Sequence, residues 1–217
     1  MKERRRTIRI KKPDKATIVL YSFKKRIHVL FLLICMVFCF INGKGGIKQE
    51  FYSPFNDTDR KSIQSIEGRV VSSYGEYRKS YKPGHLHAGI DLEGSFSETI
   101  YAIGSGQVHL IFREFPHQSV IVKHQLADGH YLYSVYTHVE QVKVNVGDWV
   151  DEQTPLARLF NPDELKRANF GTSNHLHFEI RKSITDDGRA SYASMTREEL
   201  DKYCMDPMDF FRFYLEK

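Results

Sequence analysis

From Gly68 onward, apolar and polar positions alternate in short runs, as expected of strands with one buried and one open face. Thr99–Ile103, Val108–Phe112 and Val120–Lys123 are rich in β-branched and aromatic residues, and each predicts a strand. Asp128-Gly129 separates Ile121-Val122-Lys123-His124 from Tyr131-Leu132-Tyr133-Ser134-Val135-Tyr136, a turn signal that predicts a hairpin. Val144–Leu159 reads as a further β-hairpin, a scaffold for the floor of a cleft. Helical signals are short. Asn161 before Pro162 predicts an N-capped helix, and Thr196-Arg197-Glu198-Glu199 is a capping-box pattern opening a helix to about Tyr203. The pattern predicts an all-β domain of mostly antiparallel sheets with short helical insertions.

The N-terminal part has a different pattern. Val29–Ile41 (VLFLLICMVFCFI) is an uninterrupted apolar run, which predicts one hydrophobic helix. Thirteen residues suit the apolar region of a signal peptide as well as a short anchor. No small-residue cleavage site comes after it, so an uncleaved anchor is expected, with cleavage near Gly43 as its rival. The expected organisation is a basic cytoplasmic tail over 1–26, a membrane segment over 27–41, a polar linker over 42–66 and a folded domain over 67–217.

Charge sharpens this division. The chain has 217 residues and a net charge of +5. Residues 1–26 hold eleven Lys/Arg against Glu3 and Asp14, a net of +9, and the remainder is left at −4. A nucleic-acid-binding domain keeps a basic stripe on its folded part, and this one does not, so no nucleic-acid partner is expected. Lys/Arg before an apolar run predicts that residues 42–217 lie outside the cytoplasm, in a single-pass membrane protein or, after cleavage, in a secreted or periplasmic one. Cys35 and Cys39 lie within the apolar run, which leaves Cys204 alone in the exported part. No disulfide can staple that domain, so its stability must come from the core, with help from a bound metal.

The chemistry gathers in two stretches. In Asn174-His175-Leu176-His177-Phe178-Glu179, strand alternation points His175 and His177 to one side and Leu176 and Phe178 to the other. In His85-Leu86-His87-Ala88-Gly89-Ile90-Asp91, His87 and Asp91 stand four apart, again on one face of a strand. Catalytic zinc takes three protein ligands of the His and carboxylate kind and keeps a position for water. His87, Asp91 and one histidine of the later pair could supply that set.

HLHAGID followed much later by HLHFE resembles the lysostaphin-type (LytM-like) zinc metallopeptidases, which cut peptide cross-bridges of bacterial cell walls. The resemblance runs from about Gly68 to Phe211. It implies an open sandwich or barrel-like groove, one zinc ion per domain held by His87, Asp91 and His177, and two catalytic histidines that are not ligands, His175 and His138. It also implies a tyrosine in the preceding loop that steadies an oxyanion or the substrate, for which Tyr81 is better placed than Tyr77. The sequence departs from the family pattern at Asn161–Phe170, where a glycine- and threonine-rich run is usual, and in an insertion over 183–205. The resemblance implies a zinc endopeptidase acting on peptidoglycan peptides, with room for a regulatory protein partner. The alternative is a non-hydrolytic peptidoglycan-binding or hydrolase-regulating module, a class that typically loses ligands which this chain keeps. Val144–Leu159 also resembles the hairpin of biotinyl and lipoyl carrier domains, but the modifiable lysine at a tight turn is missing.

Overall fold

A computed structural model describes residues 49–79, 85–184 and 196–215. The predicted N-terminal apolar helix and the basic tail lie outside the described residues, as does Tyr81. Among the described residues no helix is long and apolar enough to cross a membrane.

In chain order, helix α1 (Ile63–Glu67) leads into β1 (Val70–Ser72), β2 (Tyr77–Arg78), β3 (His85–Leu86), β4 (Ile90–Glu93) and β5 (Thr99–Tyr101). The long strands come after these: β6 (Gly106–Phe112), β7 (Ser119–Gln125) and β8 (Tyr131–Thr137), then short β9 (Val139–Glu140) and β10 (Trp149–Val150). β11 (Pro155–Leu159), α2 (Pro162–Ala168) and β12 (His175–Arg181) come next, before α3 (Arg197–Tyr203), β13 (Cys204–Met205) and α4 (Pro207–Leu215).

The main sheet has the order β1-β4-β12-β8-β7-β6-β10, with β13 pairing further along β12. Its pairings are all antiparallel. A second, three-stranded sheet has the order β5-β11-β9, and β2 pairs with β3 alone. The all-β, mostly antiparallel expectation holds. The predicted hairpin over Val144–Leu159 does not, because β10 joins the edge of the main sheet while β11 joins β5 and β9. The apolar positions on the two strands serve different sheets, which a one-dimensional pattern cannot distinguish.

One face of the main sheet builds the core. Ile90 and Leu92 of β4, Leu176, Phe178 and Ile180 of β12, Tyr136 of β8 and Val120 and Val122 of β7 are buried there. Met208, Phe210 and Phe211 of α4 join the same cluster. Each such side chain contributes roughly 1.5–3 kcal/mol of burial. Residues 51–66, read from the sequence as linker, pack on this core: Phe51, Phe55, Ile63 and Ile66 are buried in it. Phe51 meets Phe210 edge-on at 4.8 Å and Tyr214 at 4.6 Å. Phe51 and Phe55 anchor its first part as isolated aromatics, and only Ile63 and Ile66 share a helical face.

Both predicted N-caps form, each as a capping box. Asn161 caps α2 reciprocally with Glu164, and Thr196 caps α3 with Glu199. The turn at Asp128-Gly129 also forms, with Gly129 at φ 86°.

Candidate metal centre

The site lies on the other face of the main sheet. His177 pairs in register with Asp91 on one side and with Thr137 on the other, so the three side chains share that face. Leu176 and Phe178 occupy the alternate positions and are fully buried, which fixes the register of β12.

His87 reaches the same place by another route. It comes after β3 and precedes a bend at Ala88-Gly89, so it does not share a strand with Asp91 as the sequence spacing suggested. The bend lies directly on β12. A Cβ on Gly89 would come within 2.2 Å of the Phe178 carbonyl oxygen, so only glycine lets the backbones approach this closely.

Three donor atoms converge. His87 Nε2 is 3.1 Å from Asp91 Oδ1 and 2.9 Å from His177 Nδ1, and His177 Nδ1 is 3.0 Å from Asp91 Oδ1. All three residues are buried, and together they form a group able to hold a metal ion. Zinc with bonds of about 2.0–2.1 Å and tetrahedral angles needs ligand atoms roughly 3.3 Å apart, close to this spacing.

The outer nitrogens strengthen the fit. His87 Nδ1 donates to the Ser73 carbonyl at 2.8 Å, and His177 Nε2 donates to the Glu179 carboxylate at 2.9 Å. The two inner nitrogens then face each other lone pair to lone pair, an arrangement that requires a proton or a cation between them. Hydrogen-bonding the outer nitrogen is how proteins fix the tautomer and orientation of ligating histidines. The donor set therefore suits zinc.

Charge is arranged accordingly. Burial opposes ionisation of Asp91, but its bonds to His177 and His87 outweigh burial and hold the carboxyl well below the usual range. Arg78 Nη2 lies 2.7 Å from Asp91 Oδ2 and 2.5 Å from Ser72 Oγ, which leaves Oδ1 for the histidines. Burial would depress His177, yet Asp91 and Glu179 raise it to about 9. His87 is lowered, chiefly by burial.

Two further imidazoles border the group. His175 donates from Nδ1 to the Ser173 carbonyl at 3.0 Å, and its Nε2 lies 4.0 Å from Asp91 Oδ1. His138 donates from Nδ1 to the Pro116 carbonyl at 2.9 Å, and its ring centroid is 5.2 Å from that of His175. Burial lowers the pKa of both; for His138, neighbouring His175 and His177 push it further, well below the ordinary value. Each is a neutral ring with one nitrogen fixed.

His138 does not reach the site by continuing the alternation of β8. Ser134 and Tyr136 are buried behind the sheet, within hydrogen-bond distance of each other, and a regular strand would send His138 after them. Instead β8 ends at Thr137, and His138 adopts φ 66°, which turns its ring towards His175 and His177.

The structure thus brings His87, Asp91, His177, His175 and His138 together, whereas Tyr81 lies outside the described residues and Tyr77 is exposed on β2. Sequence reasoning missed Glu179, Arg78 and Phe170. Glu179 could have been found, since it shares the strand face of His177 two residues on. Arg78 and Phe170 are near the site only through the fold.

The model of peptidase family M23 matches residues 85–191. No curated protein sequence matches the chain significantly. Among solved structures, the antimicrobial peptidase lysostaphin from Staphylococcus simulans aligns at 18% identity with a TM-score of 0.51, covering 77% of this chain and 56% of that one. The likeness supports the fold. The catalytic domain of the same protein aligns at 21% identity and TM-score 0.49, covering 70% of this chain and 98% of that domain. LytU aligns at 26% identity and TM-score 0.46, covering 65% and 83%.

Proposed function

We propose, from the match of the peptidase family M23 model to residues 85–191, that the chain is a zinc-dependent endopeptidase hydrolysing peptide cross-links of bacterial peptidoglycan. The observation that carries this reading is the convergence of His87 Nε2, Asp91 Oδ1 and His177 Nδ1 within 3.1 Å of one another, beside two neutral imidazoles. A zinc ion held by these three residues would supply a Lewis acid that polarises a water molecule and the scissile carbonyl.

The chain's own residues supply the remaining needs of amide hydrolysis. With Nδ1 of His175 and of His138 donating to backbone carbonyls, each Nε2 carries a lone pair. One of the pair accepts the proton of the attacking water and returns it to the leaving amine, as general acid–base catalysis requires. The other, on taking up a proton from solvent as the negative charge develops beside it, donates that proton in a hydrogen bond to the charged oxygen. Asp91, kept ionised by its neighbours, balances the positive charge gathered there. Glu179 and Ser73 orient the two ligand imidazoles through their outer nitrogens.

In the same reading, the cationic residues 1–26 remain inside, residues 27–41 anchor or export the chain, and the domain works outside the cytoplasm. The support for this is the charge asymmetry of the sequence. The peptidase reading is tested by incubating the chain with purified sacculi, with and without zinc, and identifying released fragments by mass spectrometry. Zinc-dependent release of peptides with new amino termini is expected. Intact sacculi after treatment with zinc-loaded protein would defeat it.

A further inference from the structure

The hydrogen bonds of both rings gather at Nδ1: that of His175 donates to the Ser173 carbonyl with Ser173 Oγ 3.2 Å away, and that of His138 donates to the Pro116 carbonyl. Bonding at one nitrogen leaves an imidazole free to rock about that contact, and rocking carries Nε2 away from whatever it must reach. A second contact is needed to fix the ring plane. Phe170 provides one to both rings, and His117 adds another to His138 with centroids 5.4 Å apart. Phe170 stacks on His175 with centroids 5.7 Å apart and an interplanar angle of 22°, and meets His138 edge-to-face at 4.7 Å and 79°. With the two histidines 5.2 Å apart, the three rings close a triangle. Phe160 backs it, 6.1 Å from Phe170 and 6.5 Å from His138.

The backbone is shaped to deliver this ring. Helix α2 ends at Asn169 in the left-handed region, φ 59°, and Gly171 on the other side of Phe170 is also left-handed, φ 66°. Asn169 closes the helix in this conformation, and the Phe170 ring that comes next lies against both histidines. A Cβ on Gly171 would meet nothing within 4 Å, so the glycine answers to backbone conformation rather than to crowding.

We propose that Phe170 is a positioning residue of the peptidase site, clamping His138 and His175 in the orientations that aim both Nε2 atoms at the reacting groups. The proposal rests on the peptidase reading for its catalytic consequence, while the clamp itself is observable without turnover. Phe170 moves no proton and holds no metal. Its contribution is geometric, and small misplacements of acid–base groups can lower rates by roughly 10²-fold.

The test uses the full chain and three variants, Phe170→Ala, Phe170→Leu and Phe170→Tyr. Solvent exchange of the histidine Nδ1 protons is measured by NMR, together with zinc content and the turnover of a soluble cross-linked muropeptide. In Phe170→Ala both Nδ1 protons should exchange at least about 10-fold faster, and kcat should fall roughly 10–100-fold with KM and zinc content little changed. Phe170→Leu preserves bulk, so it keeps the comparison open if the alanine variant folds poorly, and it should fall between alanine and parent. Phe170→Tyr, which retains the ring, should restore slow exchange and turnover. Parental exchange and kcat in folded Phe170→Ala or Phe170→Leu would overturn the clamp, as would a tyrosine variant no better than alanine. A parent that binds zinc but cleaves nothing would defeat the peptidase reading and the catalytic half of the proposal, and the exchange measurements would still decide the clamp.

Discussion

Replacing Glu179 with glutamine separates the role of charge from that of shape at the metal centre. Glu179 is fully buried, and its Oε1 accepts from His177 Nε2 at 2.9 Å. Glutamine fills the same volume and can still accept through its amide oxygen, so the imidazole keeps its tautomer and loses only the carboxylate. Partners of this kind typically contribute 10–100-fold to metal affinity. That range corresponds to about 1.4–2.7 kcal/mol. Glutamine should fall near the lower bound, because the hydrogen bond survives. Alanine should reach the upper bound, because it also leaves a buried N–H without an acceptor at a cost of about 1–3 kcal/mol. Arg181 is affected as well, being 1% exposed with Nη1 3.7 Å from Glu179 Oε2. Removing one charge of a buried pair costs up to about 3–5 kcal/mol, an upper limit here given the separation. Zinc affinity is measured by competition with a chromophoric chelator, and stability by urea unfolding with a chelator present. Parental zinc affinity in both Glu179 variants would refute the reasoning that this carboxylate orients and polarises His177.

Gly89→Ala places a Cβ against the Phe178 carbonyl and should lower stability by about 1–3 kcal/mol or more, with loss of zinc, seen in thermal unfolding and metal analysis; a parental melting temperature would show that the bend can shift freely. His138→Ala should keep its fold and zinc yet lose roughly 10²–10⁴-fold in turnover, and near-parental turnover would remove His138 from the chemistry. His124 is buried between the Ser105 carbonyl and Ser134 Oγ, each 2.8 Å away, and burial lowers its pKa to about 4. The unfolded chain protonates this histidine below about 6.5 while the folded one does not, so stability falls as pH drops from about 6.5 to 4, by at most about 3 kcal/mol. His124→Gln should flatten that slope by about one proton in chelator-treated protein, and an unchanged slope would contradict it.

Legibility in the sequence depended on how each residue is positioned. His175 and His177 were legible because a two-residue period is a direct physical consequence of the strand, and Leu176 and Phe178 mark which side is buried. The caps of α2 and α3 were legible because Asn161 with Glu164, and Thr196 with Glu199, satisfy the first turn from within four residues. His87 was legible from its spacing to Asp91 and His138 only through family resemblance, but the spacing does not carry the geometry of either. The bend at Gly89 and the left-handed turn at His138 place them, and neither obeys a period. Phe51 and Phe55 hid in a stretch with no pattern, since two anchored rings need none. Arg78, Pro116 and Phe170 meet the site only through tertiary packing, which leaves no mark on the spacing of any one segment.

His87, Asp91 and His177 are expected to hold one zinc ion, with His175 taking no part. Zinc-edge X-ray absorption on the zinc-loaded chain, with metal content measured in parallel for His177→Ala and His175→Ala, tests it most directly. One zinc per chain with two nitrogen ligands and a carboxylate oxygen at about 2.0–2.2 Å is expected, lost in His177→Ala and retained in His175→Ala. Absence of stoichiometric zinc in the parent, or equal loss in the two variants, would contradict it.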